Sequence, residues 1–345
     1  METYLNRCLL LAQRGQGYVA PNPMVGAVLT HNNQIIAEGW HKNYNHAHAE
    51  VNAFNNVLPK YKHLIKESTL YVNLEPCAHY GKTPPCAELI VNMGVKRVVV
   101  GCQDSFKDVN GKGIALLQQH DIEVITGVCE AESRWLNRRF FTFNEQNRPY
   151  IILKWAQTAN GYYAPTNKNR QQISNFLTQL ITHQWRTQEQ AILVGATTVL
   201  ADNPKLTARL WTGKNPLRMV LNPSGSLAAY PQLHLLSDGQ PTVIFTLYPE
   251  KFAAFKQVQV VQGGFEAIVP YCRQQKIISV FVEGGASLQQ AFLAHSLVDE
   301  IRVFTANSLS WASGIQAPHI PSNFELKLQV TLGDNTQSQY NIVYQ

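Results

Sequence analysis

The sequence predicts two α/β domains in tandem, and three observations carry that prediction. Apolar runs of strand length alternate with segments of helical spacing as far as Phe140. A polar stretch ending in proline, Asn144 to Pro149, then interrupts the alternation, which starts again at Tyr150. The chain is also, at 345 residues, longer than one hydrophobic core ordinarily serves. The expected domains are 1–145 and 146–345. No internal repeat or low-complexity tract disturbs this division.

Met1 to about Gly15 reads as a helix. After Pro21–Pro23 come two short strands, Val25–Leu29 and Ile35–Gly39, with Asn32 and Asn33 supplying the turn. Val51, Phe54 and Leu58 give Ala47–Leu58 helical spacing. A strand Thr69–Leu74, a Gly/Pro-rich loop and a helix beginning near Cys86 follow. The strand Arg97–Gly101, the helix Ile114–His120, the strand Glu123–Thr126 and the helix Glu130–Phe140 complete the first unit. In the second, Tyr150–Thr158 opens as a strand, and Ser174 is placed to cap a helix from Asn175 to about Gln188. Ala191–Gly195, Leu217–Leu221, Thr242–Thr246 and Ile277–Val282 are strands. The helix Leu288–His295 and the strand Glu300–Phe304 come last.

The formal net charge is +6, with Lys and Arg dispersed along the chain. It suits a phosphorylated substrate but lacks the basic and aromatic stripe of a nucleic-acid interface. Arg14 and Gln16 interrupt the apolar stretch Cys8–Ala12, so no signal peptide is read. No run approaches the roughly 20 apolar residues of a membrane span. A soluble cytoplasmic protein with no nucleic-acid or membrane partner is expected. The six cysteines, Cys8, Cys77, Cys86, Cys102, Cys129 and Cys272, are too sparse for a disulfide framework.

Two of those cysteines belong to a constellation with His48, Glu50 and Pro76. A histidine and a glutamate two apart at a helix start can approach one point, and Cys77 and Cys86, flanking a loop, can close on the same point. One imidazole and two thiolates suit Zn²⁺ and leave a fourth tetrahedral position for water. Glu50 is then more useful unliganded, taking a proton from that water and passing one to a departing amine, as in zinc deaminases. Taken singly, His48 reads equally well as a helix-surface residue and Glu50 as a solvated acid. It is the set of four in this order that points to a metal, and no fourth protein ligand with metal-site spacing accompanies it.

Asn22-Pro23-x-Val25-Gly26, His46-Ala47-His48-Ala49-Glu50 and Leu74-Glu75-Pro76-Cys77-Ala78-His79-Tyr80-Gly81-Lys82-Thr83-Pro84-Pro85-Cys86 resemble the bifunctional riboflavin-biosynthesis deaminase/reductase family. The eight-residue loop between the cysteines is specific, since cytosine and adenosine deaminases typically place two residues there. The resemblance spans essentially the whole chain. It implies a cytidine-deaminase-like three-layer domain with a central mixed sheet, then a dihydrofolate-reductase-like α/β domain. It further implies that His48, Cys77 and Cys86 bind one Zn²⁺, that Glu50 shuttles protons, and that Asn22, His41, His79 and Lys82 surround the substrate. Without the family, Lys82 reads as a solvated loop lysine, because a Gly-Lys-Thr string lacking the upstream glycines is no Walker motif. Asp104 lies in the family's substrate loop, where Ser105 and Phe106 replace the usual Pro-Asn. The implied substrate is 2,5-diamino-6-ribosylamino-4(3H)-pyrimidinone 5′-phosphate, deaminated at C2.

In the second half, Val282-Glu283-Gly284-Gly285 ends an apolar run just before a helix, an arrangement able to bring backbone amides to a diphosphate but also a plain turn. Lys154-Trp155-Ala156-x-Thr158-x-Asn160-Gly161 and the segment Gly195 to Arg209 resemble the family's reductase. The resemblance places Ala156, Thr198, Asp202, Ser224 and the turn from Gly285 at NADPH-binding positions. Leu206, Arg209 and Glu283 map to the substrate pocket, Arg209 as the phosphate ligand. Arg186 is a second phosphate contact or an exposed helix charge. Asp202 is a proton donor or positions a ribose or ring. The implied reaction carries hydride from NADPH to C1′ of the ribosyl group, most simply in its opened imine form. Asn160 stands where the family usually has Asp, and Gln172 where it usually has Trp.

Two rival functions stay open on the residues alone. One is a single-activity zinc aminopyrimidine deaminase whose second half binds a nucleotide unproductively. The other is a non-catalytic zinc scaffold, against which Glu50 weighs. The resemblance also implies a homo-oligomer built through the reductase domain.

Overall fold

The computed structural model describes residues 1–80, 84–106, 109–165 and 172–343. Its internal contacts divide the chain into two compact units, Met1–Asn147 and Arg148–Gln345.

The first unit is built on a five-stranded sheet. Helix α1 (Glu2–Ala12) leads to the hairpin β1 (Gly26–His31) and β2 (Gln34–Trp40), whose turn residues Asn32 and Asn33 take positive φ. Helix α2 (Ala49–Asn55) connects to β3 (Thr69–Leu74), α3 (Cys86–Met93), β4 (Arg97–Cys102), α4 (Lys112–Gln119) and β5 (Glu123–Thr126). The strand order is β2-β1-β3-β4-β5, with β1 antiparallel to both neighbours and β3, β4 and β5 parallel. Both faces are covered, so strand residues alternate between two cores. Val28, Tyr71 and Val99 meet Leu5, Cys8 and Leu11 of α1 on one face. Ala27, Leu29, Leu70, Val72, Val98 and Val100 meet Ala53, Phe54, Ala87, Ile90 and Leu117 of α2, α3 and α4 on the other. This is a three-layer arrangement around a mixed sheet.

The helix expected over Glu130–Phe140 is two helices, α5 (Glu130–Leu136) and α6 (Arg138–Glu145), broken at Asn137 (φ −97, ψ 20). The break has a use. Asn137 turns inward and grips Met24 at both main-chain groups, accepting from its N–H at 2.7 Å and donating to its carbonyl at 2.9 Å. Buried Asn73 adds bonds to Gly26 N–H and Met24 O, so the segment after Asn22-Pro23 is fixed by two side-chain amides.

The second unit carries β6 (Tyr150–Thr158), β7 (Tyr162–Ala164), α7 (Phe176–Gln188), β8 (Ala191–Gly195), α8 (Ala196–Asp202), β9 (Leu217–Leu221), α9 (His234–Ser237), β10 (Thr242–Thr246) and β11 (Val258–Gln262). Then come α10 (Ile268–Gln274), β12 (Ser279–Gly284), α11 (Ala286–Ala294), β13 (Glu300–Ala306), β14 (Ile315–Gln316), β15 (Phe324–Leu332) and β16 (Asn335–Ile342). Nine strands form one sheet in the order β11-β10-β9-β8-β12-β6-β13-β16-β15. From β11 to β13 all pairings are parallel, and β16 runs antiparallel to both β13 and β15. Ser174 does not cap α7. The cap is Asn175, whose side chain accepts from Thr178 N–H at 2.9 Å.

Candidate functional site

The topology gathers the first unit's chemistry at two helix starts. His48 is the extended residue before α2, Glu50 lies in its first turn, and Cys86 is the first residue of α3, with Pro85 ahead of it. Cys77 lies in the loop that leaves β3. The potential ligand atoms of His48, Cys77 and Cys86 all lie within 4.8 Å of one another. His48 Nδ1 is 3.3 Å from Cys86 Sγ and 3.5 Å from Cys77 Sγ. An imidazole nitrogen and a thiolate sulfur on one tetrahedral zinc lie about 3.5 Å apart, so the donor set fits zinc. The Cys86 main-chain N–H donates to Cys77 Sγ at 3.3 Å, support for a thiolate. Glu50 is only 3% exposed, and its carboxyl shares a hydrogen bond with Cys86.

Without a metal, these donors divide protons among themselves. Hydrogen bonds from Cys86 and His48, outweighing burial, pull Cys77 down to about 4. The bond to Cys77 and burial hold Cys86 well up as a thiol, and the bond to Cys77 lifts His48 to about 9 despite burial. Zinc uptake near neutral pH must therefore displace one proton from His48 and one from Cys86. Protonated donors are favoured as pH falls, so affinity should fall with it, by up to about 100-fold per unit for two protons. Chelator competition at pH 6, 7 and 8 checks this, and a pH-independent affinity would contradict it.

Around this centre, Asn22 Nδ2 lies 3.2 Å from His41 Nε2, and His41 Nδ1 lies 3.0 Å from Ala47 O. His41 is 2% exposed, lowered by burial, and its ring meets that of His48 edge-on at 5.4 Å. With both ring nitrogens engaged, His41 is placed to orient Asn22 and back His48. His79 is exposed, its ring 5.9 Å from that of Phe106. Phe106 N–H donates to Asp104 Oδ1 at 2.7 Å, which links His79 to Asp104. Burial raises Asp104 to about 7. Lys82 lies outside the described residues.

Glu75 is a further residue of this site, given no role by the sequence. Its buried carboxylate accepts from four main-chain N–H groups, those of Asp104, Gly111, Gly113 and Ile114, at 2.9–3.2 Å. A Cβ at Gly113 would come within 2.0 Å of Pro76 O, so the backbone at Gly113 lies directly against the Pro76-Cys77 turn. The motif Leu74-Glu75-Pro76-Cys77 holds the signal, masked by the two cysteine-flanked ends that explain the motif without it.

In the second unit, the parallel core strands end on one side, where ligands of open α/β sheets bind. Ala156 is near the end of β6, Thr198 and Asp202 are in α8 after β8, Ser224 follows β9 and Gly285 follows β12. A Cβ at Gly284 would approach Thr198 Cγ2 to 2.8 Å, and Gly285 has φ +85. The Gly285 N–H donates to Tyr163 Oη at 3.1 Å. The glycine pair thus brings the backbone at the start of α11 close to Thr198, and a helix start is the kind of place where a dinucleotide diphosphate binds.

The substrate-pocket residues divide differently from expectation. Arg186 is not an exposed helix charge: it pairs bidentately with Glu283 at 2.6 and 2.7 Å, side chains 11% and 8% exposed, and donates to Thr207 O at 2.9 Å. Leu206 sits in the hydrophobic core with φ +57, its side chain buried. Arg209 is exposed and makes no ion pair among the described residues. Lys154, which carried no assigned role, is lowered by burial and lies close enough to Glu283 to feel its charge.

Family models match both halves: the cytidine and deoxycytidylate deaminase zinc-binding region over residues 1–102, and the RibD C-terminal domain over residues 149–309. The riboflavin biosynthesis protein RibD of Aquifex aeolicus is 38% identical over 88% of this chain and 86% of its own length. That of Bacillus amyloliquefaciens is 38% identical over 93% and 88%.

This chain belongs to the RibD family.

Its structure agrees. The deaminase/reductase of Thermotoga maritima superposes with a TM-score of 0.89 at 34% identity, covering 99% of this chain and 98% of that one. Acinetobacter baumannii RibD gives 0.90 at 30% identity, covering 99% of both. As a RibD, the chain is a bifunctional enzyme of riboflavin biosynthesis, a zinc-dependent deaminase and an NADPH-dependent reductase acting on phosphorylated pyrimidines. Its architecture is a cytidine-deaminase-like unit followed by a dihydrofolate-reductase-like one. Among the described residues, no helix is long and apolar enough to cross a membrane.

One departure from the RibD pattern has a physical account. Asn160 Oδ1 accepts from Thr158 Oγ1 at 2.8 Å and from Trp311 N–H at 3.2 Å, while Nδ2 donates to Trp311 O at 2.7 Å. A carboxylate cannot make that last bond. Gln172 is exposed and donates to Ser174 O, which leaves its replacement of Trp without a structural explanation.

Proposed function

We propose that residues 1–145 remove the C2 amino group of 2,5-diamino-6-ribosylamino-4(3H)-pyrimidinone 5′-phosphate by hydrolysis. Residues 146–345 then reduce the resulting 5-amino-6-(5-phosphoribosylamino)uracil to its ribitylamino product. The observation that carries this reading is a three-donor, zinc-sized cluster with a buried carboxylate beside it. His48, Cys77 and Cys86 hold the metal, which when bound supplies a water that ionises near neutral pH. Glu50 takes the water's proton and returns one to the amine nitrogen as it leaves as ammonia. Burial raises Glu50, which suits a group that must both accept and release a proton. Asn22, steadied by His41, meets the pyrimidine edge, with His79, Lys82 and Asp104 completing the surroundings.

In the reductase, Ala156, Thr198, Asp202, Ser224 and Gly285 hold NADPH, whose nicotinamide supplies the hydride. The pocket residues place C1′ against it. Arg209, exposed and without an ion pair among the described residues, takes the substrate phosphate, and Arg186 keeps Glu283 ionised and in place. Arg209→Ala should weaken reduction of the phosphorylated intermediate roughly 10- to 150-fold, the loss of one charge-assisted hydrogen bond. NADPH binding should be unchanged. Lys should restore part of the loss, since it returns the charge but not the planar fork. An unchanged preference for phosphorylated over dephosphorylated substrate would move the phosphate site elsewhere.

The enzyme works in the cytoplasm as a homo-oligomer assembled through the reductase unit. Supporting this, edge strand β15 exposes Leu326, Leu328 and Val330, at 47%, 42% and 40%. Sedimentation should find an assembly that Leu328→Glu dissociates, whereas a monomeric wild type would contradict it.

A further inference from the structure

The segment Thr207–Leu210, which carries Arg209, is tied down at three points. Arg186 Nη1 donates to Thr207 O at 2.9 Å, and the Ala208 N–H donates to Asn215 Oδ1 at 2.8 Å. The third tie is the Leu210 N–H, which donates to His183 Nδ1 at 3.5 Å. The last two ties fall on the residues immediately before and after Arg209. Its own side chain is exposed, so the backbone on either side sets where the guanidinium starts from.

No step of the proposed chemistry uses His183. It is 4% exposed and lies three residues before Arg186 on α7, so both side chains leave the same face of that helix. Burial first, and then the positive charges of Arg186 and Arg209, push it down to about 4; Glu283 and the Thr207 backbone pull weakly the other way. At neutral pH the ring is uncharged. Its Nδ1 lone pair can therefore accept, and it adds no second cation at the guanidinium. Helix α7 thus offers a charged donor to one end of the segment and a neutral acceptor to the other.

We propose that His183 is a positioning residue for substrate-phosphate recognition, holding the Leu210 amide so that Arg209 is presented in a fixed direction. The inference rests on Arg209 being the phosphate ligand. An arginine on an unanchored loop would lose more freedom on binding, and the cost would fall on the phosphorylated substrate alone.

The test uses the full-length enzyme with NADPH and the deaminated substrate, phosphorylated and dephosphorylated, for wild type, His183→Leu, His183→Asn, His183→Gln and Arg209→Ala. His183→Leu should raise KM for the phosphorylated substrate roughly 3- to 10-fold, the loss of one hydrogen bond. Its kcat, its KM for NADPH and its efficiency on dephosphorylated substrate should stay near wild type. His183→Asn, whose Oδ1 falls near the Nδ1 position, should recover most of the phosphate preference; His183→Gln, whose acceptor lies farther out, should not. A merely structural role would lower both substrates together and would not separate Asn from Gln. If Arg209→Ala abolishes the preference while His183→Leu leaves it intact, the inference about His183 fails alone. If Leu does not fold, equal preference in the Asn and Gln variants overturns it. An intact preference in Arg209→Ala overturns the underlying phosphate assignment instead.

Discussion

Replacing Glu50 with Gln should lower deamination by roughly 10²- to 10⁴-fold, the range of general acid–base catalysis, while zinc content stays stoichiometric. Gln preserves volume and a hydrogen-bonding oxygen at a site that is 3% exposed, so packing around α2 has little reason to change. What it loses is the ability to bind and release a proton. Because Glu50 is not among the three donors, zinc binding by His48, Cys77 and Cys86 does not require its carboxylate. Reduction of separately supplied deaminated substrate should proceed at the wild-type rate. Comparable ammonia release by wild type and variant would remove Glu50 from the mechanism. Loss of zinc along with activity would make it a structural residue.

Arg186→Ala should destabilise the reductase unit by about 3–5 kcal/mol, the cost of breaking a buried pair and stranding its partner. Burial alone pushes Glu283 up; Arg186, through charge and hydrogen bonds, and then Lys154 bring it below its ordinary value. A depressed folded pKa gives stability that is present above the ordinary carboxylate range and is lost as pH falls through the folded value. In the variant the main opposing influence is gone and burial dominates, so Glu283 should titrate higher. The penalty should then be largest at neutral pH and shrink towards pH 4–5 as Glu283 takes up a proton. Denaturant unfolding followed at both pH values checks this. A penalty under about 1 kcal/mol at neutral pH would mean that the pair is solvated in solution.

The metal donors were legible because their chemistry is carried by residue type and spacing: a histidine and glutamate two apart, and cysteines flanking one loop. Most core strands of both sheets were legible as apolar runs, as in Ile151–Leu153 or Val98–Val100, but the edge strand β11, with Gln259 and Gln262 among its valines, was not. Nor was the C-terminal hairpin. Strand β16 buries Asn335, Gln337, Ser338 and Asn341, and β15 is exposed along its length, so neither shows the apolar run or clean alternation that marks a strand. Helix α8 was lost because Gly195 to Arg209 was read as a motif, not as an element. The break at Asn137 was invisible because asparagine is tolerated in helices, and only Met24, far off in sequence, explains it. Arg186 reads in sequence as a phosphate contact or an exposed helix charge and Glu283 as a substrate-pocket residue, and only the fold pairs residues 97 apart. His183 had no motif to draw attention to it.

The most direct test of two linked activities is to supply the diaminopyrimidine substrate and NADPH together and follow both products in one vessel. Ammonia release should begin at once, and NADPH oxidation should follow after a lag, with one NADPH consumed per ammonia released at completion. Ammonia released with NADPH left unoxidised would leave the second unit a nucleotide-binding domain without productive reduction, and would contradict the account.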